Sequence, residues 1–160
     1  MHKVIHLLGD DVSTDVIYPG RYMATMLPSE TPQYAFADIE ELNQRLTKNP
    51  FDLSVKRALV AGDNFGCGSS REQAVSTLVG HDLTVIAKSF ARIFKQNAVN
   101  LGLRIIICPD IDVRYGERLD IAEIVWNRTR DIKFEITPLP PETQAILDAG
   151  GLIPYVRSRL

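Results

Sequence analysis

The 160-residue sequence predicts an α/β protein with a mixed β-sheet, and three observations carry that prediction. Between residues 58 and 108, short apolar runs alternate with amphipathic segments of helical length, the spacing of βαβ units with parallel neighbouring strands. Beyond residue 118 two further apolar runs flank Asn127-Arg128-Thr129-Arg130, which implies an antiparallel hairpin beside the parallel core. The last regular stretch opens on Pro141 and stops at Gly150-Gly151, the asymmetry of a helix.

Each element follows from its residues. Val4-Ile5-His6-Leu7-Leu8 is a buried strand stopped by Gly9-Asp10-Asp11. The two-residue alternation puts His2 and His6 on one of its faces, and His81 falls in a turn. All three read as structural or solvated, because a histidine pair without further ligands does not make a zinc site. A long irregular stretch follows, punctuated by Pro19, Gly20, Pro28 and Pro32, up to a helix near 37–48; irregular stretches of that length are often functional. Strands are predicted over 58–61, 83–87 and 104–108, with helices over 70–78 and 89–100 between them. In the second helix Phe90, Ile93, Phe94 and Ala98 form a core-facing stripe, Ser89 is the N-cap and Gly102 the stop, while Arg92 and Lys95 point to a partner or an anionic substrate. Strands over 119–126 and 131–137 and a helix over 141–149 complete the set. The tail Arg157-Ser158-Arg159 reads as a solvated end or the edge of a subunit contact.

Composition narrows the function. Hydrophobic residues are 45% and charged residues 24% of the chain, ordinary for a globular protein and inconsistent with a disordered one. A chain of this size buries roughly 70% of its unfolded surface, so one domain over 1–160 with its own core is expected. The net charge of -2 offers no electrostatic case for nucleic acid. No apolar run approaches the roughly 20 residues of a membrane helix, and the opening MHKVIHLLGDD turns acidic too early for a secretory signal. The expected location is the cytoplasm. Cys67 and Cys108 are too few for a disulfide scaffold or a cysteine-ligated cluster; Cys67 reads as a small residue in a tight loop, Cys108 as core.

One segment stands apart: Ala61-Gly62-Asp63-Asn64-Phe65-Gly66-Cys67-Gly68-Ser69-Ser70-Arg71-Glu72-Gln73-Ala74. A strand runs into a loop with three glycines in seven residues, then into two serines, an arginine and a helix. Glycines allow positive φ and close approach to a ligand. A helix N-terminus favours an anion, and Arg71 adds a planar fork for a carboxylate or phosphate. The pattern is neither a Walker loop nor GxGxxG. Two compatible readings stand: an anion site, or a turn in which Ser69 or Ser70 caps the helix with support from Glu72. Asp11 and Asp15, in a Ser/Thr-rich loop, read by themselves as Asx-turn residues, Asp15 capping a short turn.

Gly66-Cys67-Gly68-Ser69-Ser70-Arg71-Glu72 resembles the active-site loop of the swivelling domain of aconitase-type hydro-lyases, and more narrowly that of the small subunits of 3-isopropylmalate dehydratases and their homoaconitase relatives. Asp11-Val12-Ser13-Thr14-Asp15-Val16-Ile17, Pro19-Gly20-Arg21-Tyr22, Ala87-Lys88-Ser89-Phe90-Ala91-Arg92-Ile93-Phe94 and Asn97-Ala98-Val99-Asn100-Leu101-Gly102-Leu103 agree in order and spacing, as does Ile146-Leu147-Asp148-Ala149-Gly150-Gly151-Leu152. The resemblance covers nearly the whole chain. It departs at Gln73, where the family commonly has histidine, which touches a supporting contact more than the reaction.

The resemblance implies a three-layer β/β/α swivelling domain that works with a large subunit carrying a [4Fe–4S] cluster, no metal or cofactor being bound by this chain. It implies the isomerisation of 2-isopropylmalate to 3-isopropylmalate, a small 2-hydroxy dicarboxylate, by dehydration and rehydration in leucine biosynthesis. Ser69 is then the general base. Gly68, Ser70 and Arg71 hold a carboxylate, and Thr14 and Asp15 support the site. Arg21, Tyr22, Met23, Ala24 and Thr25 form the loop that discriminates substrates. Homoaconitase-type subunits carry arginine at the third position of the Tyr22–Thr25 tetrad, where this chain has Ala24. Small subunits of homoaconitase or of a dimethylmalate dehydratase are the neighbouring alternatives. A non-catalytic anion-binding or interaction module is the alternative of a different class. Self-association is expected of the chain in isolation.

Overall fold

The computed structural model describes residues 1–48 and 54–160. Its single sheet contains β1 (His2–Leu7), β2 (Lys56–Ala61), β3 (Leu83–Ala87), β4 (Arg104–Ile107), β5 (Arg118–Ile121), β6 (Ile124–Asn127) and β7 (Ile132–Glu135) in the order β4-β3-β2-β1-β5-β6-β7. Strands β1 to β4 are parallel, joined by helical crossovers; β5 to β7 continue the sheet antiparallel. The helices are α1 (Thr14–Ile17), α2 (Glu40–Thr47), α3 (Glu72–Val79), α4 (Arg92–Leu101), α5 (Pro141–Asp148) and α6 (Leu152–Arg157), with 3₁₀ turns at Gly20–Tyr22 and Thr31–Tyr34.

Every residue of β3 is buried, as a parallel strand covered on both faces requires. One face carries Ile5, Leu59, Val85 and Ile105 against Leu42, Leu46, Val75, Leu78, Phe94 and Ala98 of the helices. The other carries Val4, Ala58, Val60 and Ile86 against Leu119, Val125 and Phe134 of the antiparallel strands. The sheet therefore curls over itself, and a bridge from Ile107 to Thr137 brings its two edges together. Helices, parallel strands and folded-over antiparallel strands make the three layers that the resemblance implied.

Four local expectations need correction. Helix α4 starts at Arg92, not at residue 89, because Phe65 pairs with Ser89 and Ala91 and holds 89–91 extended (Phe65 N to Ser89 O, 3.1 Å; Ala91 N to Phe65 O, 2.9 Å). Ser89 is no cap: its hydroxyl accepts from Asn64 N and donates to Asp63 Oδ1. The run 119–126 is two strands, reversed at Ala122 and Glu123, which contain no customary turn residue. The tail Arg157-Ser158-Arg159 is exposed, as a solvated end would be, and follows α6, in which Leu152, Ile153 and Val156 are exposed too. His2 and His6 also part company, since a bulge between Val4 and His6 switches faces. His2 Nε2 meets Thr84 Oγ1 at 3.0 Å, whereas His6 Nδ1 meets Arg45 of α2 at 3.0 Å. Gly102 does stop α4, in the left-handed region at φ 79°.

Candidate active site

The glycine-rich segment leaves the end of β2 and is clamped from two sides. From the 10–14 loop, Val12 O accepts from Gly66 N (2.7 Å), Cys67 O accepts from Thr14 N (2.8 Å), and Asp10 Oδ1 accepts from Asp63 N (2.7 Å). From the other side, Phe65 is fully buried with its ring edge-on to Phe90 and Phe94, at centroid distances of 5.8 and 5.3 Å. Such aromatic pairs contribute about 0.5–1.5 kcal/mol each beyond area burial. Gly66, at φ 84°, lies so close to α4 that a Cβ would sit 2.2 Å from Phe94 Cγ. The loop can lie on the helix only with glycine there.

This clamping presents Gly68, Ser69 and Ser70 to solvent at the entrance to α3. Thr14, buried, donates from Oγ1 to Ser69 O at 2.7 Å and so fixes the backbone of that serine. Neither Ser69 nor Ser70 caps α3; its N-cap is Arg71, in extended conformation and without a side-chain capping bond. The first donors of α3 thus receive no serine oxygen.

Arg71 is held along one side only. Its Nη1 donates to Asp15 Oδ1 at 2.7 Å and to Tyr18 O at 3.1 Å. Asp15 Oδ1 also accepts from Gly20 N at 2.9 Å. The Arg71 hydrogen bond, with the Gly20 N–H behind it, holds the Asp15 carboxyl below the usual carboxylate range. Asp15 is therefore a brace for the guanidinium and not the cap of its own turn; Ser13 caps that turn by accepting from Val16 N.

These groups face a cavity of about 230 Å³. Thr14, Gly68, Ser69, Ser70 and Arg71 form one wall; Arg92, Ile93, Phe94 and Asn97 of α4 form the other. The structure thus brings together every predicted loop residue and Thr14, with Asp15 directly behind. It does not bring Arg21 to Thr25 into the lining. Arg21 is tied to Asp38 (2.6 Å), Tyr22 stacks on Tyr34 (centroids 4.1 Å apart), and Tyr18 Oη donates to Tyr22 O at 3.0 Å. Gly20, two residues before the tetrad, does lie next to the site, since its Cβ position is 3.5 Å from Arg71 Nη2.

Sequence reasoning missed Asn97 and misread Ile93. Ile93 is 47% exposed on the cavity side of α4, outside the core stripe that Phe94 and Ala98 do occupy. The signal lay in the two ordered motifs at 87–94 and 97–103, which pack against the glycine loop. A larger cavity, about 670 Å³, opens at the β4 edge among Thr84, Arg104, Ile106 and Glu123, far along the chain from the serine loop. Among the described residues no three His, Cys, Asp or Glu side chains converge as a metal site. Cys108 is buried, its thiol donates to Glu135 O at 3.4 Å, and burial pushes its pKa up to about 11. No helix among the described residues is long and apolar enough to cross a membrane.

A curled three-layer sheet whose crossover loop offers two serines beside a braced arginine defines the swivelling-domain class. The aconitase C-terminal domain model matches residues 17–109, and the chain belongs to that family. Its relatives include the 3-isopropylmalate dehydratase small subunit of Methanosarcina mazei, 44% identical over 93% of this chain and 91% of that one. The methanogen homoaconitase small subunit of Methanocaldococcus jannaschii is 45% identical, covering 96% and 89%. Among solved structures, a 3-isopropylmalate dehydratase chain of Methanocaldococcus jannaschii superposes with a TM-score of 0.85 at 37% identity, covering 98% of this chain and 92% of that one.

Proposed function

We propose that this chain is the cytoplasmic small subunit of a 3-isopropylmalate dehydratase in leucine biosynthesis, a hydro-lyase active with its large subunit. The observation that carries the proposal is Arg71: Asp15 and Tyr18 O occupy Nη1, Nη2 and Nε make no hydrogen bond among the described residues, and the residue lines the cavity with Ser69 and Ser70. A guanidinium braced in this way offers a preset fork to a carboxylate. The names of the similar proteins supply the substrate class.

In this reading Arg71, with Ser70 and the N–H groups of Gly68 and the α3 entrance, binds the carboxylate next to the carbon that loses its proton. Their positive field stabilises the charge that develops on that carboxylate. Ser69 Oγ removes the proton, and the released electron pair forms the double bond as the neighbouring hydroxyl departs. Water then adds with the opposite regiochemistry, and Ser69 returns the proton to the other carbon. A serine hydroxyl is a weak base, so its deprotonated form needs the same positive surroundings. The [4Fe–4S] cluster implied by the family belongs on the large subunit, because this chain lacks its ligands.

In this reading Ala24 favours isopropylmalate over homoaconitate, because it is exposed and offers no partner for an extra carboxylate. The decisive experiment is co-expression with a cluster-bearing large subunit and assay of 2-isopropylmalate isomerisation. Turnover by the pair and none by either chain alone is expected. An assembled pair that turns over homoaconitate but not isopropylmalate overturns the substrate assignment.

A further inference from the structure

We infer that Tyr18 is the positioning residue that ties the Tyr22–Thr25 tetrad to Arg71, an inference that rests on the isopropylmalate reading just given. Tyr18 is fully buried and is the C-cap of α1, where its N–H donates to Thr14 O at 2.8 Å. Its carbonyl accepts from Arg71 Nη1 at 3.1 Å. At the far end of the side chain its hydroxyl donates to Tyr22 O at 3.0 Å, with Thr25 O as a longer second acceptor at 3.4 Å. Those are the first and last carbonyls of the tetrad, and Thr25 N donates to Tyr22 O at 2.9 Å to close the turn between them. A buried phenol needs a hydrogen-bond partner. Burial also raises its pKa, so the hydroxyl keeps its proton and remains a donor. Among the described residues no other side chain donates to the tetrad backbone. The neighbouring Arg21–Asp38 pair is exposed on both sides and contributes little, and the stack of Tyr22 on Tyr34 holds a side chain rather than backbone. The tetrad lies outside the cavity lining, so its effect on a substrate depends on where its backbone is held. Tyr18 holds that backbone at one end and Arg71 at the other, which fixes the discriminating turn relative to the carboxylate fork.

The test separates the hydroxyl from the ring. Tyr18→Phe keeps the edge-on contacts with Tyr22 and Tyr34, at centroid distances of 6.4 and 6.3 Å, and keeps the carbonyl for Arg71. Tyr34→Phe is the control, because the Tyr34 hydroxyl makes no hydrogen bond among the described residues. In the pair assembled with a cluster-bearing large subunit, Tyr18→Phe should leave kcat for isopropylmalate within about twofold. It should lower the isopropylmalate-to-homoaconitate ratio of kcat/KM about fivefold, the effect of losing one neutral hydrogen bond. Limited trypsin digestion of the full chain should release the fragment ending at the exposed Arg21 about fivefold faster than in the wild type. Tyr34→Phe should match the wild type in both measurements. An unchanged ratio overturns the inference even if cleavage accelerates, since a purely structural role lowers turnover of both substrates together. So does unchanged cleavage, or a Tyr34→Phe variant that behaves as Tyr18→Phe does. A wild-type pair that prefers homoaconitate bears on the functional reading alone, because the Tyr18→Phe shift is read relative to the wild-type ratio.

Discussion

Ser69 contributes its backbone to the fold and leaves its hydroxyl free for the proton transfer proposed above: its carbonyl accepts from Thr14, while its side chain makes no hydrogen bond among the described residues. Ser69→Ala should therefore change stability by less than about 1 kcal/mol and lower turnover of the reconstituted enzyme by about a hundredfold or more. Chemical denaturation and steady-state kinetics on the same preparation check both halves. Arg71 is different, because the proposed function gives it two jobs at once, the bonds to Asp15 and Tyr18 O and the hold on the substrate. A lysine has no planar fork, so Arg71→Lys either keeps Asp15 and Tyr18 O or reaches the substrate. KM for isopropylmalate should rise about tenfold; unchanged constants would take Arg71 out of the site. At Ala24 the expected gain is in selectivity: Ala24→Arg should shift the isopropylmalate-to-homoaconitate ratio of kcat/KM toward the tricarboxylate by about tenfold or more, read by competition between the two substrates.

The elements that place these residues were legible in the sequence to different degrees. The parallel strands were readable because burial on both faces leaves continuous apolar runs, as in Leu83–Ala87. The start of α4 was not, since Ser89 has the chemistry of an N-cap but is claimed by Asp63 and Asn64 of a loop 25 residues earlier. The β5–β6 reversal at Ala122-Glu123 carries no local signal either. In the site, the serines and Arg71 could be singled out from one contiguous motif. The α4 wall could not, because Ile93 and Phe94 are adjacent apolar residues of which only Phe94 is buried in the core, while Ile93 is left exposed. Gly66 is the joint between the two walls, and it yields a prediction at this scale. Gly66→Ala combines a left-handed backbone with a Cβ 2.2 Å from the Phe94 ring. It should destabilise the chain by about 2–4 kcal/mol and reduce turnover by displacing Ser69. Gly9→Ala, with nothing within 4 Å of its Cβ position, serves as the neutral control in the same thermal melts.

Across the whole molecule, the curl of the sheet depends on groups that acid attacks in sequence. His2 lies inside the curl, bonded to Thr84, and burial lowers its pKa to about 4, with the nearby N-terminus, Lys56 and Arg104 acting in the same direction. Burial likewise lowers His6 and His81. Unfolded histidines titrate near 6.5, so below that pH the unfolded chain binds protons that the folded chain refuses. Stability is therefore complete above about pH 6.5 and is lost as pH falls toward 4. Glu117 adds a second stage. Burial alone would raise its pKa, but Arg130, the Arg114 N–H and Asn127 together hold it below the usual range. Its contribution is present above the unfolded glutamate value and disappears as pH drops through the depressed one. Glu117 ties the β6–β7 turn to the segment before β5, since Arg130 also donates to Asp112 O. Urea midpoints measured from pH 7 to 3 should consequently fall in two steps. His2→Leu should flatten the step between 6.5 and 4, and Glu117→Gln should weaken the step below it while lowering stability at pH 7. A wild-type midpoint that stays constant from pH 7 to 4 would show that the buried histidines are protonated in the folded chain, and that His2 does not hold the curl in its neutral form.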